Sequence, residues 1–114
     1  MIFQSVFPFT QEVIAEHPVM DDAAINKCLT KAENAFSVWK KMSFEQRALV
    51  FTKAAAILKN DSEILARLIT SEMGKVIGEA KAEVEKCATV CKYYATHAQV
   101  ILQDENRDIQ LRSQ

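Results

Sequence analysis

Residues 61–102 read DSEILARLITSEMGKVIGEAKAEVEKCATVCKYYATHAQVIL and contain two consecutive helical patterns. In the first, apolar residues recur at the three- and four-residue steps of an amphipathic helix that ends at Gly74. Glycine at such a place is typical of the left-handed residue that terminates a helix. The second pattern begins near Ile77 or Gly78 and continues to about Leu102, well beyond the mean helix length. The stretch therefore predicts a short helix followed by an unusually long one.

The long helix carries an apolar stripe whose members recur at alternating steps of four and three residues. They are Ala80, Val84, Cys87, Cys91, Tyr94, Ala98 and Ile101. A period close to 3.5 residues is typical of a helix that packs along its whole length against another element. The stripe therefore predicts that the long helix packs against more protein surface than the three shorter helices can supply.

Two further helical patterns precede this stretch. The first begins at Asp21 or Asp22, and its apolar positions have amphipathic spacing: Ile25, Cys28, Leu29, Ala32, Phe36 and Trp39. The second opens at Ser43 with a capping box completed by Gln46, and it runs to about Lys59. Asn60-Asp61-Ser62 ends that helix and caps the next.

Residues 1–20 predict a β-hairpin. One β-prone run contains Phe3, Val6, Phe7 and Phe9, and the other contains Val13, Ile14 and Ala15, with Thr10-Gln11 between them. The predicted fold is therefore mainly α, with a hairpin segment at 1–20, a four-helix segment at 21–102 and a polar tail at 103–114. That tail is polar and charged, with only Ile109 and Leu111 apolar, and it is either a loose terminus or a strand awaiting a partner.

Composition excludes several classes of function. The 114 residues carry 14 Lys and Arg against 15 Asp and Glu, so neither nucleic acid nor an anionic membrane is an expected partner. The two glycines cannot form a GxGxxG or a Walker loop. No apolar run is long enough to span a bilayer, and the start at Met1 has no signal-peptide pattern. Three cysteines, an odd number, favour a reducing cytoplasm over a disulfide framework.

Cysteines and histidines are the candidate metal ligands of this sequence. Cys87 and Cys91 lie one helical turn apart and could supply half of a zinc site. His97 is too far along the helix to join them, which leaves Cys28 and His17 as strained candidates. Because free cysteine is among the most buried residue types, core packing is the preferred interpretation, and no metal site is predicted.

Other chemistry-bearing residues have simple structural interpretations. Phe36 and Trp39 could floor a ligand pocket, although such pairs more often fill a core. Tyr94 belongs to the apolar stripe and Tyr93 lies beside it. The charged residues of the long helix are expected to form a solvated face with local pairs: Lys81, Glu83, Glu85 and Lys86. From these residues alone, we predict no catalytic residue and no cofactor-binding residue.

The junction between the third and fourth helices carries a family resemblance. Glu72-Met73-Gly74-Lys75 is followed by Glu79-Ala80 and by Glu83-Val84-Glu85-Lys86-Cys87-Ala88. Other landmarks follow the same order: Ala35-Phe36 with Trp39, Ser43-Phe44-Glu45-Gln46-Arg47-Ala48, Ala55 to Leu58, Leu68-Ile69-Thr70 and Tyr93-Tyr94-Ala95. Over about residues 8–100 the chain resembles the N-terminal region of the aldehyde dehydrogenase superfamily. Residues 13–18, VIAEHP, add a resemblance to its succinate-semialdehyde dehydrogenase-like branch.

The resemblance implies the start of an α/β cofactor-binding domain. Intact members use NAD or NADP to oxidise an aldehyde to a carboxylate through a thioester. Their nucleophilic cysteine, general-base glutamate, oxyanion-hole asparagine and glycine motif lie downstream of the matched region. None of Cys28, Cys87 and Cys91 aligns with that nucleophile. The chain alone is therefore expected to bind no cofactor and to be inactive.

The turn of the hairpin departs from the family pattern. Pro8, Thr10 and Glu12 match it, but Phe7 replaces an asparagine and Gln11 replaces a glycine. The turn therefore lacks the residue type that adopts positive φ most easily.

Two kinds of partner are expected for the apolar stripe. One is the remainder of an aldehyde dehydrogenase fold, against which the long helix would lie. The other is a second copy, in which case the chain is a stand-alone helical interaction module without catalysis. The self-association face would be Val84, Cys87, Cys91, Tyr94, Ala98 and Ile101.

Overall fold

A hairpin followed by four helices forms the computed structural model of the protein, which describes residues 1–105. Strands β1 (Ile2–Val6) and β2 (Val13–Pro18) pair antiparallel. The helices are α1 (Asp22–Trp39), α2 (Phe44–Asn60), α3 (Ser62–Met73) and α4 (Ile77–Ile101). The predicted mainly α fold is confirmed. The predicted polar tail from residue 106 onward, with Ile109 and Leu111, lies outside the described residues.

The hairpin turn is longer than predicted. Phe7 and Phe9, which the sequence pattern assigned to the first β-prone run, lie in the turn because β1 ends at Val6. Pro8 has no N–H to donate to a strand ladder, which favours an early end of β1. The Gln11 N–H donates to the Phe7 carbonyl at 2.8 Å, and Gln11 itself has a φ of 63°. Glutamine thus adopts the left-handed conformation that the family pattern assigns to glycine.

The predicted caps of α1 and α2 and the predicted end of α3 are confirmed, but the predicted cap of α3 is wrong, since Asp61 makes no side-chain capping hydrogen bond. The Asp21 carboxylate caps α1 by accepting from the Ala24 N–H at 2.8 Å. The capping box of α2 is complete, because the Ser43 hydroxyl accepts from the Gln46 N–H at 3.1 Å and the Gln46 side chain accepts from the Ser43 N–H at 2.9 Å. Gly74 ends α3 with a φ of 72°. These bonds satisfy donors that a helix terminus leaves free.

The core lies along α4, against which both α2 and α3 pack. The buried residues are Ala55 of α2, Ala66 of α3, and Ala80, Val84 and Ala88 of α4. Four of these five side chains are a single methyl group, so the helix axes approach closely without large side chains between them.

The buried face of α4 differs from the predicted stripe. Ala88 is fully buried, whereas Cys87 and Tyr94 are exposed. The interpretation of Cys87 as a core residue is therefore wrong. Successive residues of an α-helix are turned by about 100°, so Cys87 and Ala88 point in directions about 100° apart and cannot both face the same neighbour. The contact with α2 and α3 follows Ala80, Val84 and Ala88, at steps of four residues, instead.

Helix α1 has no buried residue, although its apolar positions repeat as predicted. Leu29 is 62% exposed and Phe36 is 61% exposed. Cys28 is also exposed, so its interpretation as a core residue is wrong. The physical reason is that no other element among residues 1–105 packs extensively on α1.

The overall dimensions also show that the chain exposes more surface than a compact protein of its size. The radius of gyration is 21.2 Å, whereas a compact chain of this length has roughly 13 Å. The accessible surface is 9936 Å², against roughly 6300 Å² for a compact protein of this mass. Within residues 1–105, no helix combines the length and apolar character needed to cross a membrane.

Candidate functional site

A groove forms where the end of α1, the start of α2 and the end of α4 meet. We call it the α2–α4 groove, and its volume is about 470 Å³. Its apolar wall consists of Trp39, Phe44, Ala48, Phe51, Tyr94, Ala95, Ala98 and Leu102. The capping box positions the first turn of α2, and Ala48 and Phe51 follow Phe44 at helical steps along one side of α2. The groove is therefore a mainly apolar surface formed by three helices.

Arg47 is the cationic residue of this groove. Its guanidinium lies over the Phe44 ring, with Cζ 4.4 Å from the ring centroid. Arg47 Nε is buried and has no hydrogen-bond partner, and Arg47 forms no ion pair within the described part of the chain. Glu45 lines the groove as well but does not pair with Arg47. Most buried polar atoms in proteins have a partner, so this donor is an exception that requires an explanation.

The predicted aromatic pair does not share this groove. Trp39 lines it, but Phe36 does not and is mostly exposed. The Phe36 ring instead faces the Lys40 ammonium, with Nζ 5.3 Å from its centroid. The structure thus places one of the two rings at the site and leaves the other on the surface.

The cysteine and histidine candidates do not converge. Among residues 1–105 there is no group of three or more His, Cys, Asp and Glu side chains that could hold a metal ion. His97 stacks on Tyr93 at a centroid distance of 4.3 Å, and its Nδ1 lies 2.8 Å from the Tyr93 carbonyl oxygen. His17 stands opposite Phe3 in the hairpin, far along the chain from Cys87 and Cys91.

The hairpin contacts the helices at a second, more open cleft of about 750 Å³. The Ser5 hydroxyl donates to the Glu72 carboxylate at 3.0 Å, which ties β1 to the end of α3. Thr70 lines the cleft, and its Oγ1 is buried without a partner. Phe7, Val13, Ile14 and Ile77 give this cleft an apolar lining.

The charged residues of α4 form pairs with other elements. Lys81 binds Glu63 of α3, and Glu83 binds Lys75 of the α3–α4 connection. Arg67 adds a second contact to Glu63 at 3.3 Å. The hydrogen bond from Lys81 lowers the pKa of Glu63, and the hydrogen bond to Glu83 raises the pKa of Lys75. Of these exposed pairs, the one between Glu63 and Lys81 joins α3 to α4, and none has a geometry suited to catalysis.

The aldehyde dehydrogenase family model matches residues 1–113, which is nearly the whole chain. The chain therefore belongs to the aldehyde dehydrogenase family, and the hairpin with four helices matches the N-terminal part of that fold. The predicted family resemblance is confirmed.

Several relatives are succinate-semialdehyde dehydrogenases. The chain is 35% identical over 92 residues to the NADP(+) enzyme of Deinococcus radiodurans, and these cover 81% of the chain. It is 36% identical over 105 residues to the probable NADP(+) enzyme of Synechocystis sp.. The chain spans only 19% and 23% of the length of these two relatives.

A solved structure shows the same relation in three dimensions. The succinic semialdehyde dehydrogenase of Streptococcus pyogenes, solved in complex with NADP+, superimposes with a TM-score of 0.84 at 31% identity. The match covers 93% of this chain and 24% of that one.

The unpartnered Arg47 is the feature that the sequence analysis missed. Arg47 entered that analysis only as part of a family landmark. Its position one helical turn from both Phe44 and Phe51, on the apolar side of α2, was the available signal. That signal places a cation among apolar residues, but the lack of a partner follows only from the three-dimensional structure.

Proposed function

We propose that the chain forms the N-terminal part of an NADP- or NAD-dependent aldehyde dehydrogenase that oxidises succinate semialdehyde to its carboxylate. The groups that bind the cofactor and attack the aldehyde belong to the part of the fold that lies beyond this chain. The chain supplies a scaffold of hairpin and helices, and by itself it has no turnover and no affinity for the dinucleotide. Its three free cysteines suit a cytoplasmic location.

The observation that carries this proposal is the family match over residues 1–113 combined with the exposed apolar surface of α1. The relatives that this chain matches are about four times as long as this chain. Large apolar residues exposed together on one side of a helix indicate a surface that binds other protein. The remainder of the fold supplies such a surface within the same domain.

A chimera tests the proposal. The matched N-terminal quarter of the Streptococcus pyogenes relative would be replaced by this chain, and reduction of NADP+ with succinate semialdehyde would be followed by absorbance. We expect the chimera to fold and turn over, and the 114-residue chain to show neither turnover nor dinucleotide binding. Turnover by the chain alone, or a chimera that folds without activity, would contradict the proposal.

The second candidate is a stand-alone helical interaction module. The exposed apolar residues of α1 favour it, because a second copy could cover them. The self-association face predicted on α4 fits less well, since Val84 is only 4% exposed and already packed within the chain. A defined dimer of the 114-residue chain in sedimentation, together with an inactive chimera, would favour this alternative.

A further inference from the structure

We propose that Cys87 and Cys91, one turn apart on α4, bind one Cu(I) ion through their two sulfur atoms. Both thiols are free. Burial would close such a pair to an ion, but Cys87 is exposed and Cys91 is only half-buried. The pair needs no residue from outside this chain, so the inference does not depend on the proposed function.

The spacing of the two cysteines suits a bridging ion and not a direct bond between the sulfurs. Both residues lie within α4, and side chains four residues apart on a helix have β-carbons roughly 5–6 Å apart. A disulfide requires β-carbons about 3.5–4.5 Å apart, so the helix would have to distort for the sulfurs to bond. An ion with a bond of roughly 2.3 Å to each sulfur spans about 4.6 Å between them, which the two side chains can reach from a regular helix.

The surroundings of the pair limit the choice of ion. In the part of the chain that the structure describes, no group of three or more His, Cys, Asp and Glu side chains could hold a metal, and zinc takes three or four protein ligands. Glu83, one turn before Cys87, is already paired with Lys75. His97 is six residues beyond Cys91, roughly 9 Å along the helix. Two thiolates without a third ligand therefore favour a soft ion that accepts two sulfurs in line, which is Cu(I).

The charges around the pair point to the same ion. From Cys87 to the end of α4 there is no Asp or Glu, so ions that prefer oxygen, such as Mg²⁺ and Ca²⁺, find no carboxylate there. Each thiol loses its proton when its sulfur binds, so two protons leave for each ion, and the complex carries one net negative charge. Lys86 and Lys92, adjacent in sequence to the two cysteines, offset that charge.

Anaerobic titration of the 114-residue chain with Cu(I), in competition with the chromophoric chelator bicinchoninate, tests the site. We expect one tightly held Cu(I) per chain. Cys87→Ser and Cys91→Ser should each abolish this binding, because one thiol cannot bridge the ion alone. Cys28→Ser is the matched control and should retain it, since Cys28 is an exposed cysteine on a different helix.

A relocated cysteine tests the geometry. Lys86→Cys combined with Cys87→Ser keeps the number of thiols but turns one of them by about 100° around the helix, so it should also lose the ion. Circular dichroism of each metal-free variant checks that the helices are retained, with Cys91→Ala in place of Cys91→Ser if helicity falls.

Several results would overturn the proposal. They are tight binding that persists in Cys87→Ser or in the relocated variant, loss of binding in Cys28→Ser, and half an equivalent of Cu(I) per chain together with dimer formation. Mild oxidation of the metal-free chain, followed by mass spectrometry, should give no intramolecular disulfide between Cys87 and Cys91. Its ready formation would show that the pair is not held at helical spacing.

Discussion

At the scale of single residues, Gly74 is a position where adding a side chain would strain the backbone. Its φ of 72° is a left-handed conformation that costs an L-residue roughly 1–2 kcal/mol. A β-carbon there would meet Pro8 at 3.7 Å, which is ordinary contact, so the penalty comes from the backbone and not from a clash.

Gly74→Ala should therefore lower the free energy of unfolding by about 1–2 kcal/mol. Gly78→Ala is the matched control, because Gly78 lies in the first turn of α4 with nothing within 4 Å of its added β-carbon. That control should raise stability by about 0.5–1 kcal/mol. Urea unfolding followed by circular dichroism measures both, and changes of the same sign would contradict the argument.

Glu63 gives the chain a stability term that depends on pH. Its pKa in the folded chain lies below the ordinary value of 4.5, chiefly because Lys81 donates a hydrogen bond to it. A lowered pKa in the folded state stabilises the fold above the unfolded pKa, and this stabilisation is lost as the pH falls through the folded pKa.

Glu63→Gln should therefore reduce the loss of stability when the chain is taken from pH 7 to pH 3. Glu85→Gln, in an exposed residue of α4, is the control and should leave the wild-type acid dependence unchanged. Melting temperatures across that range provide the measurement. Identical pH profiles for the wild-type chain and Glu63→Gln would show that the pair contributes nothing.

Local chemistry explains which single residues were predictable. Ser43, Gln46 and Gly74 act within four residues of their own backbone, so the sequence contains all that determines them. Arg47 was not predictable, because its missing acceptor depends on residues far away in the chain. Gln11 shows the opposite case, since the hydrogen-bonded turn imposes a positive φ on a residue that does not favour it.

At the scale of elements, substitutions can test which side of α4 faces α2 and α3. Ala88 faces the core and Cys87 faces solvent, although the two are neighbours in sequence. Ala88→Leu should lower stability by about 1–3 kcal/mol, because the added carbons overfill the contact with α2 or α3. Cys87→Leu should change it by less than ~0.5 kcal/mol. Equal effects, measured by urea unfolding, would contradict the observed face.

The existence and ends of the elements were predictable, but the packing between them was only partly so. Apolar periodicity locates an amphipathic helix and identifies its apolar side. It does not specify which neighbour covers that side, and α1 illustrates this because its apolar stripe has no cover within residues 1–105. On α4, periodicity favoured large residues such as Tyr94, whereas close approach of α2 and α3 selects alanines.

At the scale of the whole molecule, the exposed apolar surface determines how much stability is lost when a large apolar side chain is shortened. Leu29 lies on the apolar side of α1 and is 62% exposed. Leu29→Ala in the 114-residue chain should therefore lower stability by less than ~1 kcal/mol, against the 2–5 kcal/mol of a buried leucine.

The chimera provides the contrast for this prediction. If the remainder of the fold covers α1, Leu29→Ala should lower the melting temperature of the chimera clearly more than that of the chain alone. Ile57→Ala in α2, also exposed in the chain, provides a second site for comparison. A large loss in the isolated chain would mean that α1 is already packed there.

The alanine-rich contact along α4 has a calorimetric consequence. The heat-capacity increment of unfolding grows with the apolar area newly exposed to water, and an alanine side chain buries only a small area. With four alanines and one valine as the buried set, the isolated chain should unfold with a small increment and a broad endotherm. Its stability should consequently vary only gently between cold and warm conditions, unlike the sharply curved profile of a complete enzyme domain.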